Sequence, residues 1–260
     1  MLRQRTLSAL VFGPLVVGAC FLGGPAYTGF ILVTGALCAW EYSRMMSGAG
    51  IDLTAAFIPL CVAIALSGLS NRPDWLLASI IGGSLVLLAA SVRQGMQASA
   101  FALSGAIYIG ALLGALGLLR VQADGREWCF FALFITWAND MGAYFGGRAF
   151  GRHKLAPAIS PGKSWEGAAF GLGTGTAIGA ALGSWVGFSV PEGAAAGALL
   201  AVMAQIGDLV ESGFKRYCKV KDSGKALPGH GGFLDRFDSL LFTGAGGLLI
   251  RGIHRLLFHP

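Results

Sequence analysis

The sequence predicts an all-α polytopic membrane protein with about nine transmembrane helices and a cytoplasmic N-terminus. Three observations carry this. Of 260 residues, 55% are apolar and 12% charged, with a mean hydropathy of +0.67. An ordinary soluble domain carries about 25% charged residues, so this chain cannot cover a water-facing surface. A soluble globular enzyme is excluded, as is a disordered or collagen-like chain. Second, runs long enough to cross a bilayer core recur along the chain; about 20 helical residues span about 30 Å. Third, Lys and Arg are shared unevenly between the connections.

The runs cover roughly 8–24, 28–46, 54–70, 75–91, 101–119, 128–147, 166–187, 193–212 and 237–256. Helices are the expected form, because lipid offers backbone N–H and C=O groups no partners, and the alternation of a β-barrel is absent. The first run follows Arg3 and Arg5. It contains Val17-Gly18-Ala19-Cys20, a faint lipoprotein-like cleavage pattern, but the many later runs favour a retained first helix. The fifth carries Gly110, Gly114 and Gly117, a surface for helix packing within one chain or between two, so a homodimer is one use of it. The seventh is rich in Gly and Ala, which suits close packing more than lipid contact. The ninth is interrupted by Arg251, His254 and Arg255, whose side chains can snorkel to an interface. Five cysteines without a CxxC pair indicate neither a disulfide framework nor a zinc site.

With nine spans, fourteen Lys and Arg fall on the side of the N-terminus and five on the other. The positive-inside rule then places the N-terminus and the long polar loops 148–165 and 213–236 in the cytoplasm. The chain divides into residues 1–127, a scaffold of spans with short loops, and residues 128–260, which hold the unusual polar chemistry.

That chemistry begins with acids. Asp140 interrupts an apolar run, Asp208 and Glu211 lie near the end of the eighth span, and Asp235 and Asp238 open the ninth. Carboxylates at membrane depth are costly and mark function by default, although a single one is more often a helix cap or an ion-pair partner. Asp235 and Asp238 are spaced to share a helical face, as are Asp208, Glu211 and Ser212. Clustered hard oxygen ligands suit Mg²⁺. Lys215, Arg216, Lys219, Lys221 and Lys225 crowd one loop beside Gly229-His230-Gly231-Gly232. A solvated positive-inside loop would explain the charges alone. Glycine backbone beside cations and carboxylates is also what a triphosphate needs. Gly162-Lys163-Ser164 lacks the strand and the first glycine of a P-loop, so Ser164 is read as a helix cap, with Glu166 near the positive helix end.

Ser212-Gly213-Phe214-Lys215-Arg216, then Lys221-Asp222-Ser223-Gly224, then the run from Leu227 through Gly229-His230-Gly231-Gly232 to Asp235-Arg236-Phe237-Asp238 resembles the signature of the phosphatidate cytidylyltransferase (CDP-diacylglycerol synthase) family. Asp140 to Gly151, Lys154 to Pro157 and Ser160 to Gly167 are similar to a second block of it, with Ser164 where Thr is more usual. The resemblance is specific over the second half of the chain. It implies an integral enzyme of the cell (inner) membrane that moves CMP from CTP to phosphatidic acid at the cytoplasmic edge of the lipid bilayer, releasing pyrophosphate, with no nucleic acid as partner. Asp208 and Asp235 are expected to hold Mg²⁺. Asp238 would hold a second cation such as K⁺ or orient the other ligands. Lys215, Arg216 and Lys221 would bind phosphates. Ser212, Asp222, His230, Gly231, Gly232 and Arg236 would contact substrate, and Asp140, Lys163 and Ser164 would complete the pocket. A CTP-dependent lipid kinase or a cytidylyltransferase for another lipid phosphate, a transporter of an anionic metabolite and a purely structural subunit are the rival readings.

Overall fold

The computed structural model describes residues 2–224, 226 and 231–258, with side chains from residue 12 to residue 257. Each of the apolar runs falls on a helix. Among the described residues, Pro73–Gln94, Met96–Arg120, Val190–Tyr217 and Asp238–Leu257 are long and apolar enough to cross a membrane; Phe12–Leu22 and Phe57–Ser70 are shorter apolar helices. The chain forms two compact units, Met1–Arg126 with Lys215–Phe237, and Glu127–Phe214 with Asp238–Pro260.

The first unit contains α1 (Leu2–Leu22), α2 (Gly24–Gly48), α3 (Phe57–Ser67), α4 (Pro73–Ser91), α5 (Met96–Gly105) and α6 (Leu112–Arg120). A π-helical segment, Ala106–Ala111, joins α5 to α6. Tyr27, Tyr42, Phe57, Ile109 and Leu113 are buried in its core. Burying the Tyr42 ring requires a partner for its hydroxyl, which donates to the Phe101 carbonyl at 3.0 Å. Arg120 Nε donates to the Cys20 carbonyl at 2.7 Å, satisfying an acceptor in the last turn of α1. On α4, Leu77, Ile81, Leu85 and Leu88 line one exposed face, the pattern of a lipid-facing helix. The Gly110 and Gly114 surface is spent within the chain. A Cβ on Gly110 would lie 3.1 Å from the Cys61 carbonyl oxygen, and one on Gly114 3.0 Å from that of Ile64.

The second unit holds most of α7 (Gly125–Phe150), then β1 (Lys154–Ala156), β2 (Ser160–Ser164), α8 (Trp165–Leu182), most of α9 (Val190–Tyr217) and α10 (Asp238–Phe258). The two strands correct the all-α expectation for the 148–165 loop. They pair antiparallel, Lys154 opposite Ser164 and Ala156 opposite Ser160. The reason is local: Pro157 sits second in a turn closed by Ile159 N–H donating to the Ala156 carbonyl at 3.1 Å, and its fixed φ suits that position.

On α8 the buried residues are Gly167, Gly171, Gly175 and Gly179, one stripe at four-residue spacing. This bears out the packing role read for the Gly- and Ala-rich run. A Cβ on Gly179 would lie 2.4 Å from the Gly193 carbonyl oxygen and 2.5 Å from Gly197 Cα, so α8 and α9 meet backbone to backbone. Gly179→Val is expected to destabilise the protein by about 3 kcal/mol or more, since the obstacle is main chain that cannot rotate away. Thermal unfolding in detergent checks this, with the exposed Gly173→Val as the tolerated control.

Candidate functional site

Two groups of polar side chains stand out, one in each unit. In the second unit a cavity of about 410 Å³ is lined by Asn139, Asp140, Tyr144, Arg148, Lys163, Ser164, Gln205 and Asp208, with small residues between them. The second sequence block supplies much of its lining, and Gln205 and Asp208 of α9 face it from a position before the first block. Ser164 ends β2 in extended conformation, and its Oγ accepts the Gly167 N–H at 3.1 Å, the predicted cap of α8. Glu166 turns back from the first turn. Its carboxylate accepts the Arg152 N–H at 3.0 Å and lies 2.6 Å from His153 Nδ1, which ties the base of the hairpin to the helix.

The hairpin thereby holds Lys163 at the cavity, where its Nζ lies 2.6 Å from Asp208 Oδ2. Asp208 Oδ1 accepts from Ser212 Oγ at 3.3 Å, one turn along α9 as the spacing predicts. Asn139 is buried. It donates to Asp140 Oδ1 at 3.1 Å and accepts from Gln205 Nε2 at 2.9 Å, which fixes both amides at the cavity floor. Arg148 donates to the Tyr144 hydroxyl at 3.2 Å. Asn139, Gln205, Tyr144 and Arg148 had no assigned role in the sequence reading. A carboxamide inside an apolar run was the available signal for the first two.

In the first unit the second group is built on Asp235. It lies in a short 3₁₀ turn, Leu234–Arg236, not on α10, which begins at Asp238. The expected shared helical face of Asp235 and Asp238 is therefore not formed. Asp238 instead accepts the Ser239 N–H on its Oδ1 at 2.7 Å. Asp235 Oδ1 receives Lys215 Nζ at 2.6 Å. Its Oδ2 lies 3.0 Å from Ser223 N, 3.0 Å from Ser223 Oγ and 2.7 Å from Gly232 N. Gly231 has a φ of +83°, and a Cβ there would lie 2.9 Å from Asp235 Oδ2. In this arrangement the glycines make room for a carboxylate.

Arg216 is exposed and donates to the Val220 carbonyl at 2.6 Å, while Lys219, with a φ of 57°, terminates α9. Lys221, Asp222 and Arg236 are exposed. His230, with Lys225 and Gly229, lies outside the described residues.

Among the described residues no group of three or more His, Cys, Asp or Glu side chains forms a ready metal cage. Of the three expected metal ligands Asp208, Asp235 and Asp238, Asp208 faces the cavity, where Asp140 also lies, and the Asp208 side chain is 36% exposed. It already draws an ammonium group, so its charge and hard oxygens fit Mg²⁺. Asp235 is 7% exposed and among the described residues already meets Lys215, the Ser223 N–H and hydroxyl and the Gly232 N–H, so a metal there would compete with Lys215.

One residue the sequence reading passed over belongs to this second group. Glu41 on α2 is 1% exposed, and its Oε2 accepts the Leu234 N–H at 2.9 Å. Its signal was present: it is an acid inside the second apolar run, as anomalous there as Asp140 in the sixth.

Comparison with known proteins agrees with the motifs. The model of the cytidylyltransferase family matches residues 3–251. The chain is 34% identical to a phosphatidate cytidylyltransferase of Staphylococcus haemolyticus, over 93% of this chain and 96% of that one. It is 34% identical to one of Brucella suis over 94% and 91%, and 41% identical to one of Staphylococcus saprophyticus over 65% and 67%. On this evidence the chain belongs to the cytidylyltransferase family and is a nucleotidyltransferase.

Proposed function

We propose that the protein transfers CMP from CTP to phosphatidic acid, giving CDP-diacylglycerol and pyrophosphate, and that the cavity beside Lys163 and Asp208 receives the nucleotide. The observation that carries this reading is the cavity itself. It has the size of a small-molecule site, polar groups of both signs converge on it, and the second motif block supplies its Lys163 while Asp208 on α9 stands 2.6 Å from that ammonium group.

The lipid phosphate is the nucleophile. A phosphomonoester has a second pKa near 6, so it is largely ionised at neutral pH and needs no strong general base. The obstacle is repulsion between two polyanions. Lys163 and Arg148 place positive charge at the cavity, where it can act on phosphate oxygens. Asn139 and Gln205 are locked by their mutual hydrogen bond and orient what binds above them. Mg²⁺ bound at Asp208 would neutralise charge on the triphosphate. The resemblance extends that role to Asp235 and Asp238, adds a second cation such as K⁺, and gives Lys215, Arg216 and Lys221 to the phosphates.

The membrane setting follows from the apolar helices. We place the site at the cytoplasmic face of nine crossings, on the strength of the Lys and Arg asymmetry. Purified protein given CTP, phosphatidic acid and Mg²⁺ is expected to release pyrophosphate and form CDP-diacylglycerol in equal amounts. Release of CDP instead would identify a lipid kinase, and absence of both products would overturn the proposal.

A further inference from the structure

We infer that Glu41, far from the signature in sequence, is a positioning residue that holds the signature loop so that the Asp235 carboxylate keeps its orientation; this rests on the reading that Asp235 serves the transfer. Glu41 is buried in α2, and its Oε2 lies 2.9 Å from Leu234 N and 3.1 Å from Ser223 Oγ. The Ser223 hydroxyl also stands 3.0 Å from Asp235 Oδ2. Its single proton can serve only one carboxylate at a time, so Ser223 links the two acids. Leu234, the other group that Glu41 holds, immediately precedes Asp235.

A second observation is independent of those hydrogen bonds. A Cβ on Gly224 would lie 2.4 Å from Glu41 Oε1, and one on Gly232 2.5 Å from Oε2. Two glycines of the signature thus leave the space that this side chain fills. Among the described residues Oε1 has no hydrogen-bond partner, and Oε2 takes the hydrogen bonds made to this buried carboxylate. A residue retained only for packing would be apolar.

The test compares wild type, Glu41→Ala, Glu41→Gln and Glu41→Asp as full-length protein in detergent. Two readouts are needed. Hydrogen exchange of peptides covering 221–224 and 231–237 should speed up at least tenfold in Glu41→Ala, including the Ser223 and Gly232 amides, which bond to Asp235 rather than to Glu41. Glu41→Gln, which keeps the length and an acceptor, should stay within about threefold of wild type. In turnover, Glu41→Ala and Glu41→Asp should lose kcat at least tenfold, with KM for CTP within about twofold, and Glu41→Gln should recover most of it. Unchanged exchange in Glu41→Ala, or a loss confined to the yield of folded protein, overturns the inference. Faster exchange in Glu41→Ala with full kcat overturns the link to Asp235 chemistry. A wild type that makes neither product strikes the parent reading, and the exchange result still decides whether Glu41 holds the loop.

Discussion

Asp208→Asn is expected to yield a folded protein that turns over CTP at least about a hundredfold more slowly, the loss typical when one charge-stabilising group is removed from a site. Stability should hardly change. The Lys163–Asp208 pair is 24% and 36% exposed, and a pair so open to water contributes about 0–1 kcal/mol. Asparagine keeps the shape and the acceptor for Ser212, so what disappears is the negative charge at the cavity. Pyrophosphate release and thermal unfolding measured on one preparation separate the two effects. Asp74→Asn is the control, because the Arg72–Asp74 pair, 61% and 59% exposed at the start of α4, should leave both readouts unchanged. An Asp208→Asn protein with wild-type kcat would remove Asp208 from the reaction.

Lys215→Ala should do the reverse and strike stability first. Lys215 and Asp235 are 10% and 7% exposed, and deleting one partner of a buried pair costs about 3–5 kcal/mol, because the remaining charge loses its counter-ion in a poorly solvated place. The Ser223 and Gly232 donors stay on Asp235 and set the loss toward the lower end. The double variant Lys215→Met with Asp235→Asn is expected to regain at least half of that stability while remaining inactive. Unfolding followed by tryptophan fluorescence reads it. A Lys215→Ala protein within about 1 kcal/mol of wild type would show that the ion pair does not hold the signature loop.

The helices were legible because membrane spans are written in composition: every apolar run corresponds to a helix, and the glycine stripe of α8 was readable from small residues alone. The Ser164 cap and the pairing of Asp208 with Ser212 were legible for the same reason, since helix geometry converts spacing directly into contact. Asp235 and Asp238 show where this fails. Three-residue spacing implies a shared face only if the helix has begun, and it begins at Asp238. The β1–β2 hairpin escaped notice because Ser160-Pro161-Gly162-Lys163-Ser164 has no strand pattern. Its register is set by the Pro157 turn and by the cap that follows. Glu41 escaped because its partners lie about 180 and 190 residues away, a separation no local pattern encodes.

The wall of the cavity carries a consequence for any compound aimed at it. Gly147, Gly162, Gly167, Ala143 and Ala168 line it, and a Cβ on Gly167 would come 2.8 Å from the Ala143 carbonyl oxygen. These small residues have no rotamers to swing aside, so the part of an inhibitor that lies against them must match the space as it stands. The organism, for its part, gains little by enlarging Gly167 to exclude the drug, because a methyl group there meets the α7 main chain and forces α7 and α8 apart. Escape at this position from a ligand seated against Gly167 would come at the expense of the fold itself.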